Sequence, residues 1–308
     1  MRYFESLDDF YKECFNHNSI KELCETLHIG RTTVNRYLRE LKTRCPEKYF
    51  NLKIFWKAKY DENCSIRASK KIDSIRTKYT LDDSAFDTMT EESAYWLGML
   101  ASDGCVHKNK NKISINLQIK DKEHIEKFAT FLSYSGDVKT RFIKTGNKRH
   151  EIAYFEFYSK HIKQKLSEYG IVSAKSNLDI NYLTYIPDEY KLNFIFGYLD
   201  GDGHISSCDI TSKVKIEILG NKTLIEDIHA IMNSAGILKA HIRIDNRFQV
   251  PKYNYIIQNM NDCLTFLNLY TCCPHILNRK KVNAEKWIRI INDKLKKNIR
   301  DINLNNIT

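Results

Sequence analysis

The stretch Trp96-Leu-Gly-Met-Leu-Ala-Ser-Asp103-Gly104 returns later in the chain as Ile195-Phe-Gly-Tyr-Leu-Asp-Gly-Asp202-Gly203. Both copies read as an apolar helix that ends on an acidic residue followed by glycine. Gly98 and Gly197 stand at the same place in each, where a missing side chain lets a second helix approach closely. If the two helices pack on each other, Asp103 and Asp202 come side by side. Two carboxylates a few ångströms apart do not cheaply both ionise unless a divalent cation lies between them. The repeat therefore points to a metal site built across an internal pseudo-twofold.

The residues after each copy repeat as well. Asp103 leads into a short strand at 104–107, and Lys112–Lys120 then alternates apolar Ile113, Ile115, Leu117 and Ile119 with polar residues, the period of a half-buried strand. A helix over 121–134, strands at 138–143 and 152–158 and a helix at 160–169 complete the order αββαββα. In the second half Asn221-Lys-Thr-Leu-Ile-Glu226 echoes Asp121-Lys-Glu-His-Ile-Glu126, and Ala235-Gly236 echoes Ser135-Gly136. Strands are expected at 214–219, 241–245 and 253–257, a helix at 262–270, and a basic tail helix at 282–299. The repeated unit is a whole domain. Pro187-Asp-Glu-Tyr opens the second signature helix, and Thr90-Glu-Glu the first, with acids suited to a helix N-terminus.

The pair of stretches resembles the two signature motifs of a single-chain LAGLIDADG homing endonuclease. The second copy is in register at Asp200, Asp202 and Gly203; the first has Ala101 where the family often has its first acidic residue. The resemblance covers about residues 90–285 and implies an α+β fold of two tandem repeats forming a pseudo-twofold saddle. It implies metal-dependent hydrolysis of both strands of DNA at a long, nearly asymmetric target, leaving short 3′ overhangs. Asp103 and Asp202 match the family's metal ligands for Mg²⁺, with Mn²⁺ or Ca²⁺ as substitutes for binding and the backbone carbonyls of Ser102 and Gly201 as further ligands. Its catalytic basic residues fall by motif position on Lys175 and Lys280, which would orient water or neutralise charge on phosphate. Asp121, Gln118 and His204 are weaker candidates near the centre. Asp200 is expected to bond its neighbours rather than metal.

On the strands, Ser114, Asn116, Gln118, Arg141 and Lys144 in one half, and Lys213, Lys215, Glu217, Arg243 and Arg247 in the other, are of the types that read base edges in a major groove. Alternation sends only one face of each strand toward DNA.

A net charge of +11 and a pI near 9.0 fit a nucleic-acid partner. The charge is focused: residues 31–78 hold fourteen Lys and Arg against five Asp and Glu. Overlapping the start of this region, Ser19–Leu41 reads as helix, tight turn, helix, with Ile20, Leu23 and Leu27 on the first helix and Val34, Leu38 and Leu41 on the second facing inward. It resembles a helix-turn-helix whose second helix presents Arg31, Thr32, Thr33, Asn35, Arg36 and Arg39 to DNA. The expected organisation is a small all-α helix-turn-helix region at 1–45, a partly helical basic linker at 46–89, and repeats at 90–186 and 187–308.

The nine cysteines are scattered without a Cys-x-x-Cys pair, which argues against a zinc finger and for reduced thiols. With no apolar run of membrane-spanning length, the chain is expected to be intracellular, cytoplasmic or in a nucleoid or organelle matrix, and the resemblance to single-chain enzymes implies a monomer. Two rivals share these features: a DNA-binding regulator on the same scaffold that has lost cleavage, and a maturase that binds intron RNA.

Overall fold

The computed structural model describes residues 3–76, 79–146, 148–208 and 213–305. Thr77 and Lys78, within the expected basic linker, lie outside them. The chain divides into two compact units, Met1–Lys78 and Tyr79–Thr308.

The first unit is all helical: α1 (Leu7–Cys14), α2 (Ile20–Thr26), α3 (Arg31–Arg44) and α4 (Pro46–Arg76). Ser19 caps α2 by accepting from the Glu22 amide, and Gly30 precedes α3. Phe10, Leu23, Val34, Tyr37 and Leu41 close one small core. Leu52 of α4 belongs to that core and the Trp56 indole donates to the His17 carbonyl. The first half of the basic connector is thus an integral helix of this unit.

The second unit runs α5 (Glu91–Ser102), β1 (Gly104–Val106), β2 (Lys112–Gln118), α6 (Lys122–Phe131), β3 (Lys139–Thr145), β4 (Lys148–Tyr158) and α7 (Lys160–Glu168). It then repeats as α8 (Lys191–Asp202), β5 (Gly203–Ile205), β6 (Ile216–Gly220), α9 (Lys222–Ser234), β7 (His241–Asp245), β8 (Lys252–Ile257) and α10 (Met260–Cys272), with α11 (Asn278–Asn305) appended. The αββαββα order is that expected from the sequence. Each half makes one antiparallel four-stranded sheet, ordered β1-β2-β4-β3 and β5-β6-β8-β7. The registers correspond, with Gly104 opposite Ile115 and Gly203 opposite Ile218.

Some boundaries move. Strand β2 stops at Gln118 because residues 119–121 turn into a 3-10 helix, which leaves Ile119 exposed rather than on the buried face. Strand β6 starts at Ile216, so Lys213 and Lys215 precede it. Helix α11 starts earlier than the basic tail alone suggests, at Asn278.

Helices α5 and α8 are buried along nearly their whole length and touch backbone to backbone. A methyl group at Gly98 would overlap the Phe194 carbonyl oxygen and crowd the Tyr198 amide; at Gly197 it would overlap the Tyr95 carbonyl oxygen and crowd the Met99 amide. These are the same contacts exchanged between halves, the signature of a pseudo-twofold. The obstacles are backbone atoms, which cannot rotate away. Gly98→Ala or Gly197→Ala should therefore destabilise the Tyr79–Thr308 unit by about 3 kcal/mol, at the upper end of overpacking costs, measured by denaturant unfolding. An unchanged midpoint would mean that the helices do not meet at these glycines.

Candidate active site

The contact of α5 with α8 fixes where the two signature acids lie. Asp103 is the C-terminal cap of α5, and Asp202 is the last residue of α8. The carboxyl carbon of Asp103 is 3.2 Å from the point where Gly201 would carry a Cβ, one residue before Asp202. Only a glycine at 201 leaves room for that approach.

A cavity opens on each side of this junction. One, of about 770 Å³, is lined by Asp103, Gly201, Gln118, Asp121, Arg141, His204, Arg279 and Lys280. The other, of about 460 Å³, is lined by Asp202, Ser102, Ala101, Lys175, Asn221 and Lys252. Each acid shares its cavity with the residue from the other half that precedes the opposite acid. Solvent reaches both carboxyl groups, yet most of the volume around them is protein. Burial, then the charge of Asp202, pushes the Asp103 carboxyl up to about 6, against the pull of Lys280 and Lys175. Burial also raises Asp202, opposed by Lys175 and by a hydrogen bond from the Tyr198 hydroxyl.

The two lysines are held differently. The Lys280 ammonium is buried and donates to three carbonyls at the end of α8: Leu199 at 2.5 Å, Asp200 at 3.0 Å and Gly203 at 2.7 Å. Burial brings it down to about 8, while the Asp200 charge acts the other way. Lys175 is half-buried and donates to the matching carbonyl of the first half, that of Gly104. Burial lowers its pKa too, with Asp202 opposing.

Asp200 borders the Asp103 cavity, but its side chain is buried among hydrogen-bond partners. Its Oδ2 accepts from the Tyr95 hydroxyl at 2.6 Å and the Leu277 amide at 2.8 Å, and its Oδ1 from the Tyr270 hydroxyl at 2.6 Å. The Tyr95 hydroxyl also meets His124 Nε2 at 2.8 Å. Position 200 therefore bonds its neighbours, as the sequence suggested. Asp121 is buried and clamped by Arg279 through two contacts of 3.2 Å, which makes it an ion-pair partner. Sequence reading missed Arg279, Tyr95 and Tyr270. Arg279 sits beside Lys280 and could have been noticed; the tyrosines look like any core aromatic.

Among the strand candidates, Asn116, Gln118 and Arg141 line the Asp103 cavity, and Ser114 shares their face of β2. The Arg141 guanidinium lies over the Tyr154 ring. Lys144 and Lys213 are exposed. Lys215 pairs with Glu217 at 2.7 Å, Arg243 approaches the same carboxylate at 3.6 Å, and Arg247 is engaged by Asp245. In the first unit, Arg31, Thr32, Asn35, Arg36 and Arg39 are exposed on α3 and Thr33 is half-buried. Arg31 also borders a cavity of about 530 Å³ shared with Trp56, Tyr60 and Arg67.

Among the described residues no group of three or more His, Cys, Asp and Glu side chains converges. A cation at the junction would thus be held by two carboxylates, backbone carbonyls and water, an all-oxygen set suited to a hard ion such as Mg²⁺. Two crowded acids with raised pKa values are a donor set that a cation would relieve.

Residues 90–176 match the family model described as a LAGLIDADG-like domain. Similar solved structures include the homing endonuclease I-WcaI bound to its DNA recognition sequence, with 15% identity over 64% of this chain and 87% of that one and a TM-score of 0.48. I-SmaMI bound to an uncleaved DNA target with calcium ions is also similar, with 16% identity over 68% and 93% and a TM-score of 0.45. Full-length DUF199/WhiA from Thermatoga maritima has 16% identity over 73% and 71% and a TM-score of 0.44. No curated protein matches the chain. No helix among the described residues is long and apolar enough to cross a membrane.

The raised pKa of Asp103 fixes a sign for stability. Its carboxyl holds a proton more tightly folded than unfolded, so its favourable contribution is complete below about pH 4 and is lost as pH rises through about 6. In metal-free protein, Asp103→Asn should raise the melting temperature relative to the parent by an amount that grows from about pH 4 to about pH 7. Mg²⁺ should shrink that difference. Scanning calorimetry across this range checks it, and a pH-independent difference would show that the acid is not perturbed.

Proposed function

We propose that this protein is a site-specific, divalent-metal-dependent double-stranded DNA endonuclease of the homing type, acting as a monomer because one chain supplies both signature acids. The observation that carries the reading is the placement of Asp103 and Asp202 at the ends of two helices in backbone contact, beside cavities edged by Gln118, Asn116, Arg141 and Lys175. A structural helix pair has no need of two acids at this junction. Asp103 and Asp202, with the carbonyls of Ser102 and Gly201, would hold Mg²⁺. A cation held there would make hydroxide available and would neutralise charge on the attacking and leaving oxygens of a phosphodiester.

The chain's own groups do the rest. Asn116, Gln118, Arg141 and Ser114 on one sheet, with Arg243 on the other and Lys213 and Lys215 just before β6, hold the duplex by base edges and phosphates. Lys175 and Lys280 set the positive field around the acids. The α2–α3 pair adds contacts as a helix-turn-helix, through Arg31, Thr32, Thr33, Asn35, Arg36 and Arg39. Its apolar residues point inward and these side chains outward, which supports that reading.

A second reading, a DNA-binding regulator on the same scaffold, is favoured by one observation: the first motif carries Ala101 where the second has Asp200. Incubating the protein with a duplex library and Mg²⁺ separates the two. The parent should cut both strands of a selected site, and Asp202→Asn should cut about 10³-fold more slowly or not at all, with binding in Ca²⁺ retained. Tight binding of one site without cleavage under Mg²⁺ or Mn²⁺ would establish the regulator instead. Selective retention of an intron RNA over duplex DNA would favour a maturase.

A further inference from the structure

The halves match element for element, but the two lysines do not. Lys280 has three ammonium protons and three carbonyl partners, all on the stretch Leu199–Gly203 that ends α8. The Leu199 carbonyl also accepts the Gly203 amide, the Asp200 carbonyl belongs to the last turn of α8, and Gly203 opens β5, so one ammonium ties the helix end to the strand that follows. Lys175 has one carbonyl partner, Gly104, and its remaining donors have no acceptor among the described residues. It lines the cavity that holds Asp202.

The difference originates at one position. Asp200 accepts the Leu277 amide, which anchors the turn where α11 begins, and Lys280 follows three residues later with its own amide bonded to the Leu277 carbonyl. Tyr95 from the first half and Tyr270 from the second hold the Asp200 carboxylate in place. Behind Lys280, Asn283 and Trp287 of α11 donate to the carbonyls of Ile205 and Ser206, so the same helix is stitched along β5. The first half has Ala101 in the matching place, and hence no carboxylate to organise an equivalent turn before Lys175.

We propose, on the endonuclease reading, that Asp200 and Lys280 form a strut, a pair of positioning residues that locks the end of α8 and so aims Asp202, and that Lys175 is the lysine left free to meet the reacting phosphate. A lysine whose donors are all engaged can reach a phosphate only by uncapping the helix that presents the acid. Lys175 meets no such obstacle.

Three variants test this in the full chain. In metal-free protein Lys280→Met should lower the melting temperature of the Tyr79–Thr308 unit by about 5 °C or more, because three buried hydrogen bonds are lost together. Lys175→Met should leave it within about 2 °C. In cleavage of the selected duplex, Asp200→Asn should raise the Mg²⁺ concentration for half-maximal rate about tenfold or more, the scale for loss of an orienting neighbour, while DNA affinity in Ca²⁺ stays within about twofold. Lys175→Met should leave that Mg²⁺ midpoint alone and cut the rate at saturating Mg²⁺ about 100-fold. Tyr270→Phe, a milder change, should move the Mg²⁺ midpoint in the same direction as Asp200→Asn if that variant folds poorly. The proposal is overturned if Lys280→Met keeps its melting temperature and loses only the saturated rate. It is equally overturned if Asp200→Asn and Tyr270→Phe leave the Mg²⁺ midpoint unmoved. Should the parent cut no duplex at all, the endonuclease reading fails by itself, and the melting data decide whether the strut exists.

Discussion

The backbone contact between α5 and α8 is the constraint on which the second unit depends. Two helices that touch through glycines have no freedom to slide, because each glycine faces carbonyl and amide groups of the partner and not a deformable side chain. Their ends are therefore fixed relative to each other. The next residues, Gly104 and Gly203, turn at once into β1 and β5, so the same contact also sets where both sheets begin. The placement of two acids at one junction follows from helix packing.

That junction carries an electrostatic cost. Burial raises both acids, the charge of Asp202 raises Asp103 further, and the cations within reach offset only part of it. A fold optimised for stability alone would place neutral residues here. Retaining two destabilised carboxylates at solvent-reachable cavities is the pattern of a binding site for positive charge.

Much of this was legible in the sequence, because the informative features were periodic or repeated. The alternation in Lys112–Gln118 gave the strand and its buried face, and the recurring Gly-x-x-Ala/Asp-x-Asp spacing gave the helix pair and its acids. The failures have physical causes. Ile119 fits the alternating pattern, but the chain must turn there to start α6, and the backbone requirement outweighs the burial of one side chain. The Tyr95–Asp200–Tyr270 bonds join residues far apart in the chain and from both halves, so no local pattern announces them. Lys280 could be placed near the centre by its motif, but whether its protons were free or engaged depended on where the carbonyls of α8 ended.

The surface charges extend the inequality seen at the lysines. On the second half, Lys215 and Arg243 share the Glu217 carboxylate, and Asp245 engages Arg247. On the first half, Lys139, Arg141 and Lys144 of β3 make no ion pair among the described residues, and Arg141 rests on an aromatic ring that leaves its donors open. Cations already paired must break those pairs to bind phosphate, and part of the gain is lost in doing so. Unpaired ones lose only hydration. Strand β3 thus offers cations free to meet a polyanion, although Lys112 of the same sheet pairs with Glu156, and the second half presents groups whose positions are set beforehand by their acidic partners. On the endonuclease reading, a pseudo-symmetric frame with one attractive and one preset face would suit a target whose halves differ. Nothing in a strictly repeated sequence would supply that difference, so it must come from substitutions such as Ala101 for Asp200 and from the carboxylates Glu217 and Asp245 beside the second half's cations.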